Sequence, residues 1–171
     1  MKKLLSLVLV VMLVLGMSAC TEETMDGAKS ETGVNIADGK KFGLNETAVA
    51  ENLKITATSV EESKGVEYFE VAEGNVFVGV KFEIENISEE NQDISSLLMF
   101  SASENDVMCD YSISGIMAFE NGEKTLDGTI APGKKLIGYY AVEVAEDWEE
   151  LEIQVQPDIL DDTKAVFVLG K

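Results

Sequence analysis

An alternation of period two constrains this sequence more than any other feature. From Asn75 to Ile87, Val76, Val78, Val80, Phe82 and Ile84 fall on one face of an extended chain, and Phe77, Gly79, Lys81, Glu83 and Glu85 fall on the other. Side chains of a strand point alternately to opposite faces, so this pattern predicts a half-buried strand in an antiparallel sheet. The same period recurs in Leu53, Ile55 and Ala57, in Leu136 to Val144, and in Leu151, Ile153 and Val155 before Pro157, with a terminal β-branched and aromatic run over Ala165 to Leu169. Two shorter runs between Leu97 and Tyr111 flank Glu104-Asn105-Asp106, a predicted turn. Ala131-Pro132-Gly133-Lys134 puts Pro and Gly where a type II turn needs φ near −60° and then a positive φ. Seven or eight strands separated by turn chemistry, with no segment of convincing helical period, predict an all-β fold, an antiparallel β-sandwich.

The first 42 residues do not share this period. Lys2 and Lys3 precede an apolar run, Leu4 to Leu15, interrupted only by Ser6, and Gly16-Met17-Ser18-Ala19-Cys20 follows. This is the layout of a secretory signal peptide over residues 1–19. A helix of about 12 residues rises about 18 Å, short of the roughly 30 Å hydrocarbon core, so a permanent transmembrane helix is not expected. Met17-Ser18-Ala19-Cys20 resembles a bacterial lipobox, with Met17 where Leu is commoner. That resemblance implies lipidation of Cys20, whose two thioether-linked acyl chains would anchor the mature protein stably on the extracytoplasmic face of the cell membrane. Residues 20–42 are polar and aperiodic and read as a disordered linker, with a reach on the order of 25 Å. The sandwich domain is expected over residues 43–171.

Charge and residue types narrow the function. The chain carries 13 basic and 32 acidic side chains for a net charge of −19, and every basic residue is Lys. Cleavage before Cys20 removes Lys2 and Lys3 and no acid, taking the net charge from −19 to −21. Such an excess repels the nucleic-acid backbone, so no nucleic acid is expected as a partner. It also repels anionic headgroups, leaving the N-terminal lipid as the route to the membrane. Without His there is no Ser-His-Asp triad and no imidazole ligand, and without Arg there is no bidentate grip on phosphate. Neither a catalytic residue nor a cofactor is predicted.

Three features remain as candidates. Cys109 is the one cysteine left once Cys20 is lipidated, and it reads as a buried small apolar residue. The acidic runs Glu146 to Glu150 and Asp158 to Asp162 read first as solvated loops, and as an alternative Asp158, Asp161 and Asp162 could hold Ca²⁺ through carboxylate oxygens. Trp148, set among four acids, reads as a core anchor or as an exposed aromatic used in recognition. Asn45-Glu46-Thr47 and Asn86-Ile87-Ser88 match the N-glycosylation pattern but read as loop residues in a bacterial chain.

Two loop motifs add a resemblance. The long strand ending in Asn86-Ile87-Ser88-Glu89, with Gly128-Thr129-Ile130-Ala131-Pro132-Gly133-Lys134 leading into Gly138-Tyr139-Tyr140, is similar to the telokin-like, immunoglobulin-like domain family of unknown function found in Gram-positive lipoproteins. The resemblance spans roughly Thr47 to Leu169 and implies a surface accessory module without established catalytic residues. The resulting expectation is a membrane-anchored lipoprotein with a non-enzymatic binding or envelope-accessory domain. A basic protein, peptide or cell-envelope component would be its partner, and Ca²⁺ binding is the alternative.

Overall fold

The computed structural model describes residues 34–36, 40–50, 52–119, 124–158 and 160–171. The predicted signal peptide and Cys20 lie outside them. In chain order the strands begin with β1 (Val34–Asn35), β2 (Lys41–Phe42), β3 (Thr47–Val49), β4 (Leu53–Ser63), β5 (Gly65–Val66), β6 (Phe69–Glu70), β7 (Asn75–Asn86) and β8 (Gln92–Ile94). After a helical turn, α1 (Ser96–Met99), come β9 (Phe100–Glu104), β10 (Val107–Cys109), the helix α2 (Ile113–Ala118), β11 (Lys124–Thr125) and β12 (Gly128–Ile130). Three strands complete the fold: β13 (Lys135–Ala145), β14 (Glu150–Val155) and β15 (Ala165–Gly170). A six-stranded sheet has the order β1-β3-β4-β7-β13-β11, and a five-stranded sheet has the order β10-β9-β14-β15-β2. The predicted sandwich is therefore present, with fifteen strands among the described residues instead of seven or eight. The surplus is made of two- and three-residue edge pieces too short to show a period.

β7 lies at the middle of the larger sheet, antiparallel to β4 on one side and β13 on the other. Its Val76, Val78, Val80, Phe82 and Ile84 are all buried, as the alternation requires. In β4 the register shifts between Ala57 and Ser59, and Thr58 donates its hydroxyl to the Lys81 carbonyl at 3.1 Å. The extra residue of this bulge moves the inward phase from Leu53, Ile55 and Ala57 to Val60, which packs against the core.

Aromatic rings join the two sheets in one continuous row. Phe42 meets Phe167 at 5.6 Å, Phe167 meets Phe82 at 5.3 Å, and Phe82 meets Phe100 at 5.4 Å. Phe100 then stacks on Tyr140 at 5.4 Å, which meets Tyr111 at 5.3 Å. Each such pair contributes about 0.5–1.5 kcal/mol beyond its buried area. Phe42, 1% exposed, belongs to this row, and β1 pairs with Ala48 and Val49 of β3. The fold thus starts before the boundary expected at residue 43. Ile36, two residues after Val34, and Phe42, two before Leu44, sit in apolar pairs too short to establish a period.

The outer face of the larger sheet is also partly covered, where alternation predicted solvent. Phe77 is 1% exposed, Tyr139 and Ala141 are buried with it beneath α2, and Ile116 of α2 is buried in turn. Ser112 caps this helix by accepting from the Gly115 N–H at 2.9 Å. Phe119 stacks on Tyr139 at 5.5 Å, and a Cβ at Gly79 would stand 2.5 Å from the Phe119 ring, so only glycine leaves room for that lid. The second helical element, α1, takes up the start of the first of the two short runs expected between Leu97 and Tyr111.

Both predicted turns are present. Asn105 and Asp106 take φ of 48° and 64° between paired Glu104 and Val107, and Gly133 takes φ 67° with Lys134 N–H donating to the Ala131 carbonyl at 3.0 Å. The second turn is bound to the end of β7 by Asn86, one of two buried polar residues of the described chain. Asn86 Nδ2 donates to the carbonyls of Glu90 and Ile130 at 2.7 and 2.8 Å, and its Oδ1 accepts from Ser88 N–H and Oγ at 2.9 and 2.8 Å. The main chain adds Asn86 N–H to the Lys134 carbonyl and Gly133 N–H to the Asn86 carbonyl, both 3.0 Å. The amide that matches a glycosylation pattern is therefore spent inside the protein.

Two outcomes follow from these contacts. Asn86→Ala should lower unfolding stability by roughly 2–4 kcal/mol in denaturant titration, because each buried group left without its partner costs about 1–3 kcal/mol. Tyr140, whose hydroxyl pKa burial pushes up to about 12, binds its proton more tightly folded than unfolded. Stability should therefore be complete below pH 10 and fall between about pH 10 and 12 by roughly 2–3 kcal/mol. Tyr140→Phe should remove that part of the alkaline loss in unfolding measured across this range.

Candidate functional site

At the end of the sandwich where β4 begins, the loop before β4, β8, α1 and the β14–β15 loop enclose an open cleft of about 660 Å³. Leu53, Ile94 and Met99 form part of its apolar floor, joined by Ile36 from the segment after β1. α1 is fixed from two sides. Ser96 N–H and Oγ both donate to the Asp127 carboxylate at 2.9 Å, and the Met99 carbonyl accepts from Gln156 N–H at 2.8 Å. Residues three apart lie on one side of a helical turn, so holding Ser96 and Met99 inward turns the residues between them outward. Leu97 and Leu98 are accordingly 71% and 68% exposed, and Leu98 lines the cleft.

Among the described residues the charged groups lining the cleft are Asp93, Asp158 and Asp161. Asp93 Oδ1 accepts from the Thr129 hydroxyl at 2.6 Å, and Asp158 Oδ1 accepts from Leu160 N–H at 2.8 Å. Asp161 Oδ1 accepts from the hydroxyl and N–H of Thr163 at 2.7 and 2.9 Å, and these bonds hold its carboxyl below the usual range. The carboxylates shape their own loops and leave negative charge at the rim. Asp158 and Asp161 thus share one cleft, whereas Asp162 is exposed and does not line it. Among the described residues no group of three or more His, Cys, Asp or Glu side chains is placed to hold a metal ion.

Trp148 takes the first of its two expected roles. It is 1% exposed, near the opposite end of β4, and its Nε1 donates to Glu62 Oε1 at 2.6 Å. Lys171 pairs with the same Glu62 oxygen at 2.9 Å and stands over the indole at 5.8 Å. The indole is a core anchor with a satisfied polar edge, so the recognition reading of Trp148 is corrected: a partner meets no exposed ring. The aromatic presented to solvent is Tyr68, 85% exposed at the tip of the β5–β6 hairpin with φ 75°. Its composition-poor surroundings gave no periodic signal to single it out.

Cys109 departs from its expected burial. It ends the edge strand β10 at intermediate exposure, with Sγ 3.7 Å from the Val107 carbonyl. Partial burial, then the charge of Glu104, push its thiol pKa up. The cleft itself escaped sequence reasoning. Its one local signal is Ser95-Ser96-Leu97-Leu98-Met99, an apolar run that fits neither strand alternation nor a helix long enough to recognise.

Comparison with known proteins agrees with this architecture. The profile of the domain of unknown function DUF4352 matches residues 42–165. The chain belongs to this family. Among solved structures, YcdA of Bacillus subtilis, described as a "putative lipoprotein", aligns with a TM-score of 0.61 at 14% identity over 72% of this chain. The chain spans only 38% of that protein. YjhA of Bacillus subtilis aligns with a TM-score of 0.54 at 17% identity, covering 75% of this chain and 98% of that one. An uncharacterised β-sandwich protein of Clostridium difficile aligns with a TM-score of 0.50 at 17% identity, covering 77% and 94%. At these identities the DUF4352 chain shares the fold of these proteins. No curated protein of known function matches it.

The thiol's environment sets an expected outcome. In the native protein Cys109 should react with a thiol reagent more slowly at pH 7 than in denaturant, with a rate that climbs as pH passes the ordinary thiol pKa. Equal native and denatured rates at pH 7 would remove the protection argued from burial and Glu104.

Proposed function

We propose that this DUF4352 chain is an exported lipoprotein, anchored through lipidated Cys20 on the extracytoplasmic face of the membrane, whose sandwich is a non-enzymatic binding module for a basic partner. The observation that carries the binding part is the cleft, which combines an apolar floor with a rim whose charges, among the described residues, are all negative. A net charge of −19 would steer a cationic partner toward the domain over about a Debye length, roughly 8 Å at physiological ionic strength. Support for the anchor comes from Met17-Ser18-Ala19-Cys20 behind an apolar run and from the lipoprotein description of YcdA. Among the described residues no helix is long and apolar enough to cross a membrane. The absence of His and Arg from the sequence, and a raised thiol pKa at Cys109, favour binding over catalysis.

Fractionation of cells tests the anchor. Wild-type protein should pellet with the membrane, and Cys20→Ser should either enter the medium or persist as an uncleaved precursor of higher mass. A cleaved Cys20→Ser protein that still pellets would sink the lipid-anchor reading.

A further inference from the structure

We infer that the cleft between β8, α1 and the β14–β15 loop binds a short extended peptide segment in which an apolar side chain is flanked by lysine or arginine. This rests on the binding-module reading above and specifies its site and ligand chemistry. Four observations converge on it. The floor is made of Ile36, Leu53, Ile94 and Met99, so an apolar group entering it exchanges water for hydrocarbon. α1 is pinned by Asp127 and Gln156 with Ser96 and Met99 inward, which presents Leu97 and Leu98 to solvent at 71% and 68% exposure, Leu98 on the cleft. Asp93 comes from β8 and Asp158 and Asp161 from the β14–β15 loop, and no lysine lines the cleft among the described residues. The volume, about 660 Å³, falls within the roughly 300–1,000 Å³ of small-ligand sites, which suits a few residues of extended chain and not a docked helix or domain.

Charge complementarity selects this occupant over its rivals. A purely apolar ligand would use the floor but bury three carboxylates against nothing, and removing an unpaired charge from water is costly. A bare divalent cation would use the carboxylates but not the floor, and their Oδ1 atoms are already engaged by Thr129, Leu160 and Thr163. An anionic lipid surface meets like charge at the rim. A lysine or arginine beside an apolar side chain satisfies both halves at once, since its charged head can reach the carboxylates while its aliphatic stem and its neighbour cover the leucines.

The test uses the full chain in a zwitterionic detergent and three probe peptides: acetyl-Lys-Leu-Lys-Leu-Lys-amide, the same peptide with Ser for Leu, and the same peptide with Glu for Lys. Affinity is read by calorimetry and location by methyl NMR of Leu98 and Met99. Only the Lys-Leu peptide should bind with shifts at those methyls, and its affinity should fall at high salt. Asp158→Asn with Asp161→Asn keeps the oxygen that accepts from Leu160 and Thr163 while removing charge. It should weaken binding by about tenfold or more, the effect of losing charge-assisted hydrogen bonds, with an unchanged melting temperature showing that the loop persists. Leu98→Ser should weaken binding as well. Equal affinity for the Ser peptide, undiminished binding by the double variant, or binding of none of the peptides would each overturn the inference. Binding instead to phosphatidylcholine vesicles, reduced by Leu98→Ser, would overturn it in favour of a lipid surface. Release of Cys20→Ser from the membrane together with failure of all three peptides would leave the anchored reading standing and remove only the cleft's assignment.

Discussion

The Phe82 ring, on the inward face of the central strand β7, touches Phe100 and Phe167 of the opposite sheet at 5.4 and 5.3 Å. Both sheets are thereby keyed to one residue. Phe82 pairs in register with Ala57 on β4 and Gly138 on β13, so the bulky ring is flanked by the small residues that make space for it. Moving β7 by one residue would expose this ring and bury Lys81 or Glu83, which is why the register admits no slip. From Phe82 the aromatic row runs outward to Phe42 in one direction and through Tyr140 to Tyr111 in the other. The first of these directions draws in the chain before residue 43, and the second ties the loop after β10 to β13 by the Tyr111–Val142 bridge.

The two ends of the sandwich are then finished by different means. At one end Trp148, Glu62 and Lys171 close over the core with a hydrogen bond, an ion pair and a cation above the indole. At the other end Asn86 binds the loop after β7 to the turn at Gly133, and Asp127 holds α1. Those polar ties hold the loops apart as well as in place, and the apolar floor between β8, α1 and the β14–β15 loop stays open to solvent. The two ends thus share one core, and it is the second that sets an apolar floor beside acidic loops. This asymmetry is why an isolated tryptophan among acids turned out structural, while two unremarked leucines became the exposed apolar surface.

Much of the architecture was legible before any coordinates. Alternation located β4, β7, β13 and β14, because a strand with one buried face must place apolar residues at every second position, and a β-branched and aromatic run located β15. Asn105-Asp106 and Pro132-Gly133 located turns, because few residues tolerate positive φ or preset a negative one. The acidic excess and the lack of His and Arg bounded the chemistry, since those properties belong to residue types and need no fold. The family resemblance was carried by Asn86 and the Pro132-Gly133 turn, and the structure explains why these residues go together: each supplies hydrogen bonds to the other's loop.

Other features were decided only by tertiary contact. Alternation assigned Phe77, Gly79, Tyr139 and Ala141 to an outer face but could not say that α2 and Phe119 would cover it, because a six-residue helix has too few turns to register as a period. Ile36 and Phe42 became core residues because the aromatic row and β3 lie beside them, not because of their sequence neighbours. The roles of Trp148, Asp158 and Asp161 likewise depended on which distant residues folding set against them: Glu62 for the indole, and an apolar floor beside the two aspartates. Local pattern determines which segments are extended and where they turn, since both are properties of a few consecutive residues. Burial, pairing and the formation of a cleft depend on surfaces brought together from far apart in the chain, and only the packed structure specifies them.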